Sequence, residues 1–490
     1  MGGSGEVVTF ADLEARANRL AHVFRGAGLQ RGDHIAIMME NNARYFEAAW
    51  AAQRSGLYYT AINSHLRAGE VQYIVEDCGA GALITSEAMD DAIGGLDLSR
   101  VRLHLTVGRD YEAAVAAAPS DPIADEAEGR EMLYSSGTTG RPKGIRKPLP
   151  PPELGDPESP AVATALSWER FEIGPGSVYL SPAPLYHAAP LVCSMAVQRL
   201  GGTVVVMERF DPLHCLQLIE RYRVTAAQFV PTMFVRMLRL PEDERRAHNL
   251  SSLSFVVHAA APCPVAIKRQ MLAWWGPIIQ EYYAGTEDIG YSWITADEWL
   301  AHPGSVGKPM NECHIVGPDG EEVPPGEIGT VYFAGGRPFE YHNDPGKTAS
   351  ITNARGWRTL GDIGYLDDGG YLHLTDRQAH MIIAGGVNIY PQEAEDVLLG
   401  HPAVIDVAVI GVPNDDMGEE VKAVVQTAGE RAGDAELEQE LLAYCRERLA
   451  AYKCPRSIDF VTELPRDESG KLYKRHLRER YWQGHEGRVI

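Results

Sequence analysis

Residues 134–144 read YSSGTTGRPKG, and this stretch decides what kind of chain it belongs to. Gly137, Gly140 and Gly144 let backbone N–H groups approach an anion closely. Ser135, Ser136, Thr138 and Thr139 add hydroxyl donors, and Lys143 adds a point charge that suits phosphate. Met132 and Leu133 bring apolar residues up to the bend. A Walker loop requires Gly-Lys followed by Ser or Thr at a helix start. Here Gly144 and Ile145 follow Lys143, so the residues point to a phosphate-binding bend of another kind.

Outward from the bend, helical and extended patterns alternate. Thr9 and Asp12 form a capping-box pattern. Leu13, Ala17, Leu20, Ala21 and Phe24 then repeat at helical spacing, with Gly26 as the expected stop. A strand over 34–38, a helix over 42–55, a strand over 57–62, a helix over 68–77 and a strand over 82–85 follow. The alternation resumes with helix 212–222, strand 225–229, helix 231–240, strand 254–258 and helix 266–275. It predicts an α/β fold with mostly parallel sheets covered by helices. Residues 147–160 are proline-rich and predict a loop. Glycines and prolines alternate with short apolar runs from 304 onwards, predicting a small β-rich subdomain over about 304–377. The last ~110 residues read as a separate α+β unit. Pro391 opens a helix, 404–410 and 421–425 read as strands, and Leu437, Leu441, Cys445 and Leu449 share a helical face. The expected division is 1–377 and 378–490.

Five further motifs follow: HAAAPCP (258–264), EYYAGTED (281–288), TLGDIGYL (359–366) with Thr-Asp-Arg ending at Arg377, AGGVNIYP (384–391) and PRDESGKLYKR (465–475). With the 134–144 string, in this order, they resemble the adenylate-forming superfamily of acyl-CoA synthetases, adenylation domains and luciferases. The resemblance runs from about residue 8 to 481 and is greatest to the fatty-acyl-CoA synthetase branch. It implies that a carboxylic acid is joined to the α-phosphorus of ATP and then passed to coenzyme A, with Mg2+ assisting.

The resemblance assigns roles residue by residue. Ser135, Ser136, Gly137, Thr138, Thr139, Gly140 and Lys143 match the phosphate loop. Thr286 and Glu287 match the pair at the metal and α-phosphate, with Glu287 as metal ligand. Tyr283 matches the residue beside adenine, and Ala260, Ala261 and Pro262 the turn bordering adenine and acyl group. Asp362 and Arg377 match the ribose contacts. Gly385 and Gly386 match the glycines passed by the pantetheine arm of CoA. Lys471 matches the lysine that reaches the carboxylate and α-phosphate, carried by a mobile C-terminal domain. His187 in LYHAAP matches a gate between the acyl and CoA channels. Lys453, Lys474 and Arg475 suggest contacts to CoA phosphates or to an acidic carrier protein.

Three positions depart from the pattern. Asp288 stands where glycine is usual in this branch, and Gln378 and Ala379 follow Arg377 where relatives carry lysine and a hinge residue. A unit charge ~8 Å away at an effective dielectric of ~20 is worth ~2 kcal/mol. Two readings therefore stand beside a complete acyl-CoA ligase for a bulky apolar acid, whether fatty, steroid-like or terpenoid-like. One is an enzyme specialised for the thioester step, fed by a partner adenylating enzyme. The other is a module that acylates a carrier protein.

The formal charge of −22 argues against nucleic-acid binding and against attachment to anionic membranes. No run of ~18 apolar residues predicts a membrane span. Seven scattered cysteines, without CxxC spacing, fit a reducing cytoplasm with neither disulfide framework nor metal cluster. Residues 1–5 lack the basic region of a leader.

Overall fold

The capping box forms as the sequence predicts. In this computed structural model the Asp12 N–H donates to Thr9 Oγ1 at 3.1 Å and opens helix Phe10–Gly26. Its buried face carries Ala17, Leu20, Ala21 and Phe24. The helix ends at Gly26, as expected, and Gly28 takes the left-handed φ of 78°. Leu29 N–H then bonds back to Phe24 O, the six-to-one closure of a Schellman motif. The structure describes all residues except 136–141, 378–379, 386, 415, 429–432, 467–471 and 484–490.

The chain divides into two compact units. The first comprises Met1–Phe229, Arg239–Val256 and Arg337–Ser350. Its five-stranded sheet runs Leu103–Val107, Ala80–Ser86, His34–Met38, Tyr58–Ala61, Arg130–Glu131, and every pairing is parallel. Strands 34–38, 58–61 and 80–86 are buried at every residue, as parallel strands covered on both faces must be. Thr203–Val206, Val178–Ser181 and Ala226–Phe229 form a second parallel set. Helix Pro212–Tyr222 matches its expected bounds, because Asp211 caps it and Pro212 fits the first turn.

The second unit comprises Val230–Leu238, Val257–Gly336 and Ile351–Ile490. Ile279–Ala284 pairs antiparallel with Tyr291–Ile294. The β-rich region appears as a four-stranded antiparallel sheet of Cys313–Val316, Gly329–Phe333, Asp362–Leu366 and Leu372–Arg377. Residues after 380 build a sheet around the long hairpin Val404–Asn414 and Gly418–Thr427, with helices Pro391–Leu399, Ala435–Arg446 and Lys474–Trp482. The hairpin outruns its two apolar runs because the ladder continues through Pro413 and Glu419. Leu449 falls beyond helix Ala435–Arg446, and the predicted loop 147–160 ends where Pro160 starts helix Pro160–Trp168. Helix Pro231–Leu238 stops two residues early, just ahead of Pro241, which cannot continue a helix. Among the described residues no helix is long and apolar enough to cross a membrane.

Candidate active site

In the first unit the phosphate motif is a β-hairpin. Strands Leu133–Ser135 and Lys143–Arg146 pair antiparallel, with Ser135 opposite Lys143 at the mouth of the bend. Ser136, Gly137, Thr138, Thr139 and Gly140 lie outside the described residues. The hairpin is held by a segment 200 residues away in sequence. Glu340 and Tyr341 pair with Arg146 and Ile145, and His342 N–H donates to Gly144 O at 2.8 Å. A Cβ on Gly144 would lie 3.0 Å from the Tyr134 ring and 3.2 Å from His342 Cβ, tighter than an ordinary contact, so a side chain there would press on both neighbours.

Asp77, at the end of helix Ala68–Asp77, collects three donors. Tyr134 Oη donates to its carboxylate at 2.6 Å, Asn343 Nδ2 donates at 3.2 Å, and His342 Nε2 lies 3.0 Å from its carbonyl. Burial above all pushes the Tyr134 phenol up, so it stays a donor. Lys143 Nζ forms an ion pair with Asp344 at 2.8 Å, and this contact holds the Asp344 carboxyl below its usual range. Asp344 also caps helix Pro345–Ser350, accepting from Lys347 N–H at 2.8 Å. Sequence reasoning missed Asp77, His342 and Asp344; only the Asp-Pro cap signature at 344–345 marked that segment. His187 precedes helix Ala188–Arg199, partly buried, with its ring 4.4 Å from that of Tyr186.

In the second unit Asp362, Arg377 and Tyr283 converge. Asp362 and Arg377 are direct cross-strand partners. Arg377 Nε donates to one Asp362 oxygen at 3.0 Å, and Tyr283 Oη donates to the other at 2.5 Å. Asp362 is buried whereas the Arg377 side chain is 45% exposed. The Asp362 carboxylate raises the Arg377 guanidinium above its usual value, and burial raises the Tyr283 phenol. Each carboxylate oxygen keeps a further lone pair for an incoming hydroxyl.

Two site residues carry unusual backbone. Ala260 has φ 74° and Asp288 has φ 57°, the left-handed region that non-glycine residues seldom enter. At 288 the geometry explains why glycine is the expected residue, and why aspartate replaces it without disrupting the turn: Asp tolerates this region better than most residues. Ala261 is partly exposed, Pro262 is exposed, and Thr286 is partly exposed. Gly285 leaves room for Glu287, since a Cβ there would lie 2.9 Å from Glu287 Oε2 and 2.5 Å from Leu360 Cδ1. One carboxylate, completed by phosphate oxygens and water, fits the way Mg2+ is bound. Among the described residues no three His, Cys, Asp or Glu side chains group as a metal site.

In the C-terminal region Gly385 has φ 56°, and its Cβ would lie 2.5 Å from Met417 Cε. Gly386, Lys471, Gln378 and Ala379 lie outside the described residues. The three cations read as CoA- or carrier-facing are engaged with carboxylates. Lys453 pairs with Glu393 at 2.5 Å, Lys474 with Glu395 at 2.7 Å and Arg475 with Glu479 at 2.8 Å. Lys474 is only 6% exposed, so it presents no surface charge here. Ahead of these, Asp376 accepts from Gln392 N–H at 3.1 Å and lies 3.5 Å from His380 Nδ1.

The model of the AMP-binding enzyme family matches residues 2–340, and that of the AMP-binding enzyme C-terminal domain matches 393–471. A feruloyl-CoA synthase of Amycolatopsis sp is 34% identical, covering 97% of this chain and 94% of its own length. A fatty acid–acyl-carrier-protein ligase of Streptomyces coeruleorubidus is 30% identical, covering 98% and 92%. The crystal structure of ATP-bound MatB from Rhodopseudomonas palustris aligns with a TM-score of 0.82 at 30% identity, over 98% of this chain and 94% of that one.

Proposed function

This chain belongs to the AMP-binding enzyme family, in its ATP-dependent, AMP-forming acyl-CoA synthetase branch, and we propose that it activates a bulky hydrophobic carboxylic acid and transfers it to coenzyme A. The observation that carries the nucleotide assignment is the Asp362 carboxylate, held between Tyr283 and Arg377 with lone pairs to spare for two ribose hydroxyls. In the first step a carboxylate oxygen attacks the α-phosphorus, the bond to the β-phosphate bridge breaks, and pyrophosphate leaves. Lys143 and the hydroxyls of the bend hold the departing phosphates. Lys471 steadies the acid and α-phosphate against each other, the kind of preorganised charge that dominates such steps. Glu287 would hold Mg2+, which supplies charge neutralisation on the phosphates.

In the second step the CoA sulfur attacks the acyl carbon, the C–O bond to AMP breaks, and the thiol proton passes to solvent. Gly385 and Gly386 would border the pantetheine arm, and His187 would gate the acyl channel. The two steps would share one pocket if a domain formed by 378–490 turned on a hinge near Ala379 against 1–377. Small residues at 259, 260, 284 and 285 support a large acid, and the named relatives act on ferulate and on fatty acids. The scattered cysteines favour the reducing cytoplasm as its place. A second reading, transfer to a carrier protein, draws on the similarity to the carrier-protein ligase.

Lys471→Ala tests the assignment. Pyrophosphate release should slow by ~10²–10³, the cost of losing one preorganised donor. Thioester formation from prepared acyl-AMP should change far less. Equal loss in both steps would remove Lys471 from the adenylation chemistry.

A further inference from the structure

The strand Phe255–His258 leads into the turn that carries Ala260, and the strand Ile279–Ala284 carries Tyr283 near its end. Near Ala260 and Tyr283 in sequence lies a buried charge pair. Lys268, in the first turn of helix Val265–Trp275, is 0% exposed, and its Nζ lies 2.5 Å from Glu281 Oε2. His258 Nε2 lies 3.4 Å from that same oxygen, and the Lys268 ammonium sits 4.8 Å from the centre of the Trp299 ring. Phe234 meets the His258 ring edge-on at 5.4 Å. Burial and the Lys268 charge hold His258 well below its usual range, so it is a neutral imidazole.

The chain path gives this cluster its meaning. His258 is the residue immediately before the turn 259–262. Lys268 follows the turn after Pro264, to whose carbonyl its own N–H bonds at 3.0 Å. After the turn, Lys268 Nζ donates to one oxygen of Glu281, which is two residues before Tyr283; before the turn, His258 packs within 3.4 Å of the same oxygen without a hydrogen bond to it. Between them Ala260 holds φ 74°, a conformation that a non-glycine residue keeps only where its surroundings over-determine it. Apolar side chains could bind helix to strand equally well. A buried ion pair adds direction, because displacement leaves a charge unpaired in a medium that cannot solvate it.

We propose that Lys268, Glu281 and His258 are positioning residues that fix the turn 259–262 and Tyr283 in the geometry that receives the nucleotide. This rests on the reading of those segments as the nucleotide site.

The test is calorimetric titration of ATP with magnesium into the full chain, alongside thermal unfolding. Lys268→Met/Glu281→Gln removes both charges at similar volume and should keep the unfolding midpoint close to the parent. Its ATP affinity should fall ~10-fold or more, as sub-ångström misplacement costs recognition. Adding Ala260→Gly, which needs no enforcement at positive φ, should recover most of that loss. Parent-like ATP binding in the folded double variant would overturn the proposal, as would a weakening that Ala260→Gly does not reverse. If the double variant does not fold, Glu281→Asp decides: it keeps the charge but shortens its reach, and unchanged ATP affinity would overturn the proposal. Asp362→Asn, which leaves the cluster intact, reports on the underlying nucleotide reading separately.

Discussion

The two motif-bearing regions are anchored by opposite physics. The phosphate hairpin of the first unit is tied down by a half-exposed ion pair, Lys143–Asp344, and by hydrogen bonds converging on Asp77. The Ala260 turn and the Tyr283 strand of the second unit stand on a buried pair, Lys268–Glu281, and on the Asp362 carboxylate, which accepts one hydrogen bond at each oxygen. A group that must fit a flat base and a ribose of fixed shape gains from rigid support. A group that grips a flexible polyphosphate and then releases it gains from contacts that water can replace. The difference teaches that each unit holds its own motif by a different means, one rigid and one replaceable by water.

Breaking the rigid support should have the largest effect. Lys268→Met leaves the Glu281 carboxylate buried without its cation, at a cost of about 3–5 kcal/mol, read as a lower midpoint in thermal or denaturant unfolding. Next is Asp362→Asn, which keeps the side-chain shape and removes the charge. Hydrogen bonds to a charged group are worth about 1.5–3 kcal/mol, so ATP affinity should fall roughly ten- to hundredfold, with a smaller drop in the unfolding midpoint because the Asn amide cannot accept from both Tyr283 and Arg377.

A pH experiment sharpens the contrast at a third place. Burial pushes the Asp396 carboxyl up to about 7; Glu395 and Asp376 add to this and the Gln392 amide opposes it. The folded protein therefore binds a proton between pH ~4 and ~7 that the unfolded chain releases, so this group makes stability fall as pH rises through that window. Asp396→Asn should add about 2 kcal/mol at pH 8, discounted for partial exposure, and nothing at pH 4. Equal gain at both pH values would contradict the assignment. The smallest effect belongs to the replaceable contacts: Asp344→Asn should shift the apparent ATP affinity by no more than ~3-fold, and less at high salt.

The alternating α/β pattern was legible because parallel strands such as 34–38 are apolar but for His34 and helices such as 212–222 carry their own cap and proline. The motif residues Asp362, Arg377 and Tyr283 were singled out by resemblance, but their joint hydrogen bonding required the register that sets Asp362 opposite Arg377. What stayed hidden was long-range. The string 134–144 could be read as a motif, but not that Glu340 and Tyr341 would pair with Arg146 and Ile145 behind it. Lys268 was not singled out in the sequence, and only packing against Trp299 and Glu281 reveals it as buried. Lys474 misleads, since Glu395 and burial remove it from the surface.

The central claim is that one chain carries out both half-reactions. It is tested most directly by running them apart on a panel of bulky acids. One vessel receives acid, ATP and Mg2+ and is followed for pyrophosphate; the other receives prepared acyl-AMP and CoA and is followed for thioester. The account expects product in both vessels for the same acid. Thioester without pyrophosphate, for every acid whose adenylate is accepted, would contradict it and identify an enzyme that relies on another to make its adenylate.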